Sequence, residues 1–194
     1  MKKGKIIILS GPSGSGKTTL YNKMLASRKI KNRPVKSISV TTRPKRAGER
    51  HGRDYFFVSK KMFQYKKRSG HFLESERVFD NYYGTPNKNI QDFLRAGKNV
   101  LLCIDVRGAQ TVRRKFPKAI TVFIKTSSLA VLAARLKRRG SENKDTMQVR
   151  LQTARKELRE IKKYDYIIVN DDLRKAYNRL ETIISAELNK PSAS

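Results

Sequence analysis

The chain has 194 residues, 38% of them apolar, and carries 45 Lys and Arg against 16 Asp and Glu, a formal charge of +29. This length suits one domain with a real core, the apolar residues gather in runs as a disordered chain's do not, and no run approaches the ~18 residues of a membrane span. A single cysteine, Cys103, excludes an internal disulfide; with no export signal visible, a cytoplasmic protein in a reducing compartment is expected.

Ile6-Ile7-Ile8-Leu9-Ser10 reads as a short buried strand, and the residues after it, Gly11-Pro12-Ser13-Gly14-Ser15-Gly16-Lys17-Thr18, fit G-x-x-x-x-G-K-[ST] without a mismatch. Glycines at 11, 14 and 16 let backbone N–H groups approach phosphate oxygens. A helix starting near Gly16 and running to about residue 28 aims its positive end at the same anion. Lys17 supplies charge for the β- and γ-phosphates, and the Thr18 hydroxyl suits Mg²⁺. A nucleoside triphosphate site is expected here.

Beyond a basic, turn-rich passage, Val35, Ile38 and Val40 alternate with polar residues as in a half-buried strand over 35–41. Thr41 to Glu49 reads as a loop rich in cations, and Tyr55–Val58 as a strand. Ser59 caps a helix that runs to about Ser69. Phe72–Glu74 and Val78–Phe79 are strand-like. Asn81–Pro86 reads as a turn before a helix that stops near Gly97. Residues 34–90 thus form a small α+β insertion. Val100–Asp105 then reads as a buried parallel strand ending in a carboxylate suited to the outer coordination of Mg²⁺. Helices over about 107–115, 129–140, 145–163 and 173–188 alternate with strands at 120–124 and 166–169, and Pro191–Ser194 is a frayed tail. The pattern predicts a three-layer α/β fold around a mainly parallel sheet.

Phosphorylated substrates do not account for all of the positive charge. It lies in clusters such as Lys66-Lys67-Arg68, Arg113-Arg114-Lys115 and Lys162-Lys163. Such a field attracts nucleic acid non-specifically; a general basic bias on a solvated surface is the other reading.

With the loop, the insertion and the late arginines in view, the chain resembles the guanylate kinases over about residues 5–188. The resemblance rests on the Ser10–Thr19 loop, Ser39-Val40-Thr41-Thr42-Arg43 with Arg46-Ala47-Gly48-Glu49, and Gly52–Val58. Further support comes from Phe72-Leu73-Glu74, Asn81–Thr85, Ile104-Asp105, Arg139-Gly140, Arg150-Leu151 and Val169–Asp172. It implies the P-loop NTPase fold, with a core of residues 1–33 and 91–194, a helical lid at about 137–155, an insertion at 34–90 that binds the nucleoside monophosphate, and one unit over 4–188. It implies phosphoryl transfer from ATP to GMP with Mg²⁺. Arg43 and Arg46 would grip the GMP phosphate, where the guanidinium fork gives bidentate bonds. Tyr55 and Tyr83, which by themselves read as aromatic core, would donate to that phosphate. Glu74 would accept from guanine N–H groups, which adenine cannot match. Ser39 and Thr85 would add polar guanine contacts, and Asn170 would lie near the adenine of ATP. Arg135, Arg139 and Arg150 would neutralise the transferring phosphoryl group beside Lys17. Three positions depart from the usual family pattern. Cys103 stands where Asp is common, Arg107 where Gln is, and Pro44 sits one place early between Arg43 and Arg46. A non-catalytic binding module, or a kinase of another phosphorylated small molecule, is the alternative.

Overall fold

The computed structural model describes residues 3–138 and 144–190. Five strands form one parallel sheet in the order β2 (Val35–Lys36), β7 (Val100–Cys103), β1 (Ile6–Ser10), β8 (Ile120–Lys125), β9 (Tyr166–Val169). Central β1 is buried along its whole length. Its side chains alternate between faces, so Ile7 and Leu9 enter one core while Ile6 and Ile8 enter the other. The first core is closed by α1 (Lys17–Ala26), through Leu20 and Met24, and by α7 (Leu173–Asn189), through Leu180, Ile183 and Ile184. The second is closed by α3 (Asn87–Arg95), through Ile90 and Leu94, and by α4 (Val106–Lys115), through Ala109 and Val112. Burial on both faces explains why β1, β7 and β8 read as unbroken apolar runs.

A second sheet, ordered β4 (Phe56–Phe57), β3 (Val40–Thr41), β6 (Asn81–Pro86), β5 (Phe72–Val78), has β5 against α4, with α2 (Lys60–Arg68) packed on it through Phe63. On the other flank α5 (Leu129–Arg138) and α6 (Lys144–Arg159) meet through Leu132, Leu136 and Ala154.

Three sequence expectations need correcting. The strand expected over 35–41 is divided: Val35 and Lys36 pair with β7 in the first sheet, whereas Val40 and Thr41 pair with Gly84 and Tyr83 in the second. Asn81–Pro86, expected as a turn, is strand β6, paired antiparallel along β5. The reversal lies one step earlier, at Phe79, whose φ of 54° is left-handed. Cross-strand pairing overrode the turn propensity of Asn81 and Gly84. The helix expected to reach residue 163 ends at Arg159 and gives way to a short 3-10 turn, Ile161–Lys163.

Leu101 is fully buried on β7 between β1 and β2. Leu101→Ala is expected to lower unfolding free energy by about 2–5 kcal/mol with an unchanged urea m-value. A loss under about 1 kcal/mol in urea titrations would show that the central sheet is not the stability core.

Candidate functional site

The sharpest geometry lies where β1 becomes α1. Gly16 caps the helix with φ 89°, and a Cβ there would come within 2.1 Å of the Asn170 carboxamide nitrogen. Asn170 is buried at the end of β9 and donates from that nitrogen to the Ser15 carbonyl at 2.7 Å. The loop is therefore held from below by a side chain that only a glycine leaves room for. Gly11, with φ 133°, has the same property: a Cβ would meet the Ile124 carbonyl at 2.1 Å. Lys17 turns back over the loop, its Nζ donating to the Gly11 and Pro12 carbonyls at 2.5 and 2.8 Å. The Lys17 ammonium thus rests on the loop's own carbonyls, at the start of α1.

Two of the expected lid arginines reach this loop. Arg135 on α5 donates to the Asp171 carbonyl at 3.2 Å, beside Gly16. Arg150 on α6 donates to Ser13 Oγ at 3.4 Å and lies 4.7 Å from the ring centre of Phe79, at the tip of the β5–β6 hairpin. Arg139, the third, lies outside the described residues.

The second cluster belongs to the second sheet. Arg43 gives both oxygens of Glu49 hydrogen bonds, at 2.7 and 3.0 Å, and its guanidinium lies over the rings of Tyr55 and Phe57. The Arg46 N–H donates to the same carboxylate at 2.8 Å, and the Arg46 side chain is exposed. Glu49 thus shapes the loop that presents both arginines. Tyr55 packs edge-on against Tyr83 at 6.1 Å. Burial pushes the Tyr55 hydroxyl up to about 12, so it stays a donor. Both tyrosines are half-buried, and Tyr55 lines the cleft beside them. A cavity of about 200 Å³ joins this cluster to the loop helix, lined among others by Thr18, Tyr21, Ser39, Glu49, Tyr55 and Cys103.

Glu74 is 6% exposed, and it sits opposite Thr85 across a bulge in the β5–β6 ladder. Thr85 donates to Glu74 Oε1 at 2.5 Å. A Cβ on Gly108 would fall 2.8 Å from Glu74 Oε2, so the first turn of α4 presses directly on the carboxylate. Burial pushes Glu74 up to about 7; the nearby Asp105 and Glu76 push the same way, and the Thr85 bond opposes them. Asp105 caps α4, accepting from the Gly108 N–H at 2.7 Å. Burial raises Asp105 too, with Lys17 and Arg107 drawing it back. Cys103 is also raised by burial, against the pull of Lys17 and the Thr18 side chain. The thiol and the Asp105 carboxylate therefore both feel the loop lysine.

The sequence reading passed over Glu157. It lies on α6, two helical turns from Arg150 and so on the same face. Burial raises its carboxyl to about 7, opposed by Lys17 and Arg107 and reinforced by Asp105. A carboxylate seven residues after a singled-out arginine was the available signal. No group of three or more His, Cys, Asp or Glu among the described residues is placed to hold a metal alone. The donors here are hard oxygens, the Thr18 hydroxyl and the Asp105 carboxylate. They suit a Mg²⁺ ion that keeps its waters and takes its remaining oxygens from phosphates. Among the described residues, no helix is long and apolar enough to cross a membrane.

Comparison with known proteins agrees in extent with this arrangement. The family described as Guanylate kinase matches residues 3–187. A guanylate kinase of Carboxydothermus hydrogenoformans is 40% identical over 98% of this chain and 92% of its own. One of Neisseria gonorrhoeae is 45% identical over 95% and 89%. The crystal structure of guanylate kinase from Anaplasma phagocytophilum superposes with a TM-score of 0.78 at 35% identity, covering 98% of this chain and 89% of that one.

The raised Glu74 carboxyl makes a signed prediction. A carboxyl that titrates higher when folded costs nothing below its ordinary value near 4.5 and its full penalty above about 7. Relative to Glu74→Gln, the wild-type chain is expected to lose about 2 kcal/mol of stability between about pH 5 and pH 8. Urea unfolding of both chains across that range checks it, and a difference independent of pH would refute it.

Proposed function

The chain belongs to the guanylate kinase family and moves the γ-phosphoryl group of ATP onto GMP; we propose that its phosphate loop holds ATP while Arg43, Arg46 and the Glu74–Thr85 pair hold GMP. The observation that carries this division is the buried Glu74, fixed by Thr85 and pressed by the first turn of α4. An ionised carboxylate there accepts the ring N–H and the amine of guanine. Adenine offers no such pair, and leaves the carboxylate buried and unpaired. Ser39 and Thr85 complete the polar frame, and residues 34–90 act as the GMP-binding insertion against a core of 1–33 and 91–194.

Gly11 through Thr18 wrap the ATP phosphates, and the β- and γ-oxygens take over the Nζ–H bonds that Lys17 now gives to Gly11 and Pro12. Asn170 serves the ATP side by bracing this loop. The Thr18 hydroxyl, with the Asp105 carboxylate as outer support, would hold Mg²⁺, which would supply charge that neutralises the phosphates. Arg43 and Arg46, with the hydroxyls of Tyr55 and Tyr83, orient the GMP phosphate so that one of its oxygens faces the γ-phosphorus. That oxygen is already anionic at pH 7, so no base is needed. It bonds to phosphorus as the bond to the bridging oxygen breaks, and the charge leaves on ADP. Lys17, Arg135, Arg150 and, in the lid, Arg139 neutralise what spreads over the equatorial oxygens. A cytoplasmic setting suits a reduced Cys103 and both substrates.

The test is ADP release with ATP–Mg²⁺ and GMP, AMP, CMP or UMP offered separately. GMP alone is expected to be turned over at a substantial rate, and equal turnover of all four would overturn the reading. Glu74→Gln is expected to cut the GMP-over-AMP preference by about 10²-fold. Arg43→Lys should raise KM for GMP by about tenfold or more, since a point charge replaces the fork.

A further inference from the structure

Arg107 departs from the usual family pattern and Glu157 escapes the sequence reading; neither side chain has a place among the groups proposed to hold ATP, GMP or Mg²⁺. Arg107 is exposed and lies in the first turn of α4. A cation there opposes the helix dipole, whose positive end is at the same turn. Carboxylates on three elements offset it. Arg107 draws down Glu76 on β5, Asp105 at the cap of α4 and Glu157 on α6, each of which burial raises.

The topology sets one of these carboxylates apart. Helix α4 follows β7 and leads to β8, and α6 leads to β9. Because these strands are parallel, both helices return the chain from carboxyl ends to amino ends and so run in the same sense. They are joined where Gln110 on α4 donates to Glu160 on α6 at 2.5 Å. Three residues before those partners, one turn nearer the start of each helix and on the same sides, stand Arg107 and Glu157. The Gln110–Glu160 bond therefore sets the register in which Arg107 faces Glu157. Two turns earlier on that face of α6, Arg150 donates to Ser13 Oγ and lies over Phe79.

We propose that the attraction between Arg107 and Glu157 ties α4 to α6 and so positions Arg150 at the phosphate loop. Gln110–Glu160 holds α6 only near its carboxyl end. A second tie one turn further up stops the helix from pivoting about that bond, and the guanidinium two turns beyond keeps its place at Ser13. Arg107 and Glu157 then touch neither nucleotide, and they act through Arg150. This positioning role rests on the proposed part of Arg150 in neutralising the transferred phosphoryl group.

Steady-state kinetics of the whole chain with ATP–Mg²⁺ and GMP tests this as a double-mutant cycle. Arg107→Met is expected to lower kcat about fivefold, as loss of one partly exposed charge pair does, with KM for ATP and for GMP unchanged within about twofold. In a Glu157→Met background the same substitution should lower kcat by less than about twofold, because its partner is already gone. An Arg150→Met background should silence it likewise. Lys17 also attracts Glu157, and comparing the backgrounds separates that effect from the tie. Arg107→Lys keeps the charge and should retain at least about half of kcat. Urea unfolding reports the fold of each variant, and Arg107→Gln with Glu157→Gln forms a second cycle should a methionine variant unfold. A kcat unchanged by Arg107→Met, an equal loss in all backgrounds, or a change confined to KM would each overturn the proposal. An unchanged kcat in Arg150→Met alone would overturn the role of Arg150, and the tie with it.

Discussion

Everything in the catalytic half of the molecule depends on the contact between Gly16 and Asn170. The carboxamide at the end of β9 holds the Ser15 carbonyl, and Gly16 gives it room by having no side chain. That one contact joins the outermost strand of the sheet to the start of α1. It fixes the direction of the helix and hence the direction in which its N–H groups point. Lys17 then finds its resting partners in the loop's own carbonyls. The loop is held by its own bonds, which in its proposed phosphate-binding role would lower the ordering entropy that binding must overcome.

The other half of the site is organised by a different constraint, the burial of negative charge in a strongly basic chain. Glu49 is answered by Arg43 and the Arg46 N–H, and both arginines take their places from it. Glu74 has Thr85 as its hydrogen-bond partner, and two more carboxylates, Asp105 and Glu76, raise it further. Its environment is incomplete, and a ligand that brings two donors completes it. In the proposed role of Glu74, selectivity and a local loss of stability would thus have one origin.

Much of this was legible in the sequence. The phosphate loop, the apolar strands and their alternation with helices follow from local spacing and from burial on two faces, and they emerged at nearly the expected residues. The hairpin was not legible: Asn81 and Gly84 carry turn propensity, and only pairing with β5 makes them a strand. The division of 35–41 between two sheets is likewise a tertiary event, invisible to an alternation that continues through both halves. Of the proposed site, the arginines and Glu74 are singled out only through resemblance, because isolated cations and carboxylates look like solvated surface. Glu157 and the shaping role of Glu49 escaped because their meaning comes from what α6 and the Arg43 loop face in space.

Arg150 occupies a position with a consequence for how the two substrates sense each other. Its guanidinium bonds to Ser13 in the loop and lies over Phe79 on the hairpin that carries Glu74. In the proposed division of the site, one side chain therefore touches both substrate territories. By linkage, any free energy that ATP would gain there from a hairpin already held in place, GMP would gain in equal measure from a loop already occupied. Such coupling would need no long chain of intermediates, only the rotameric freedom of a single arginine.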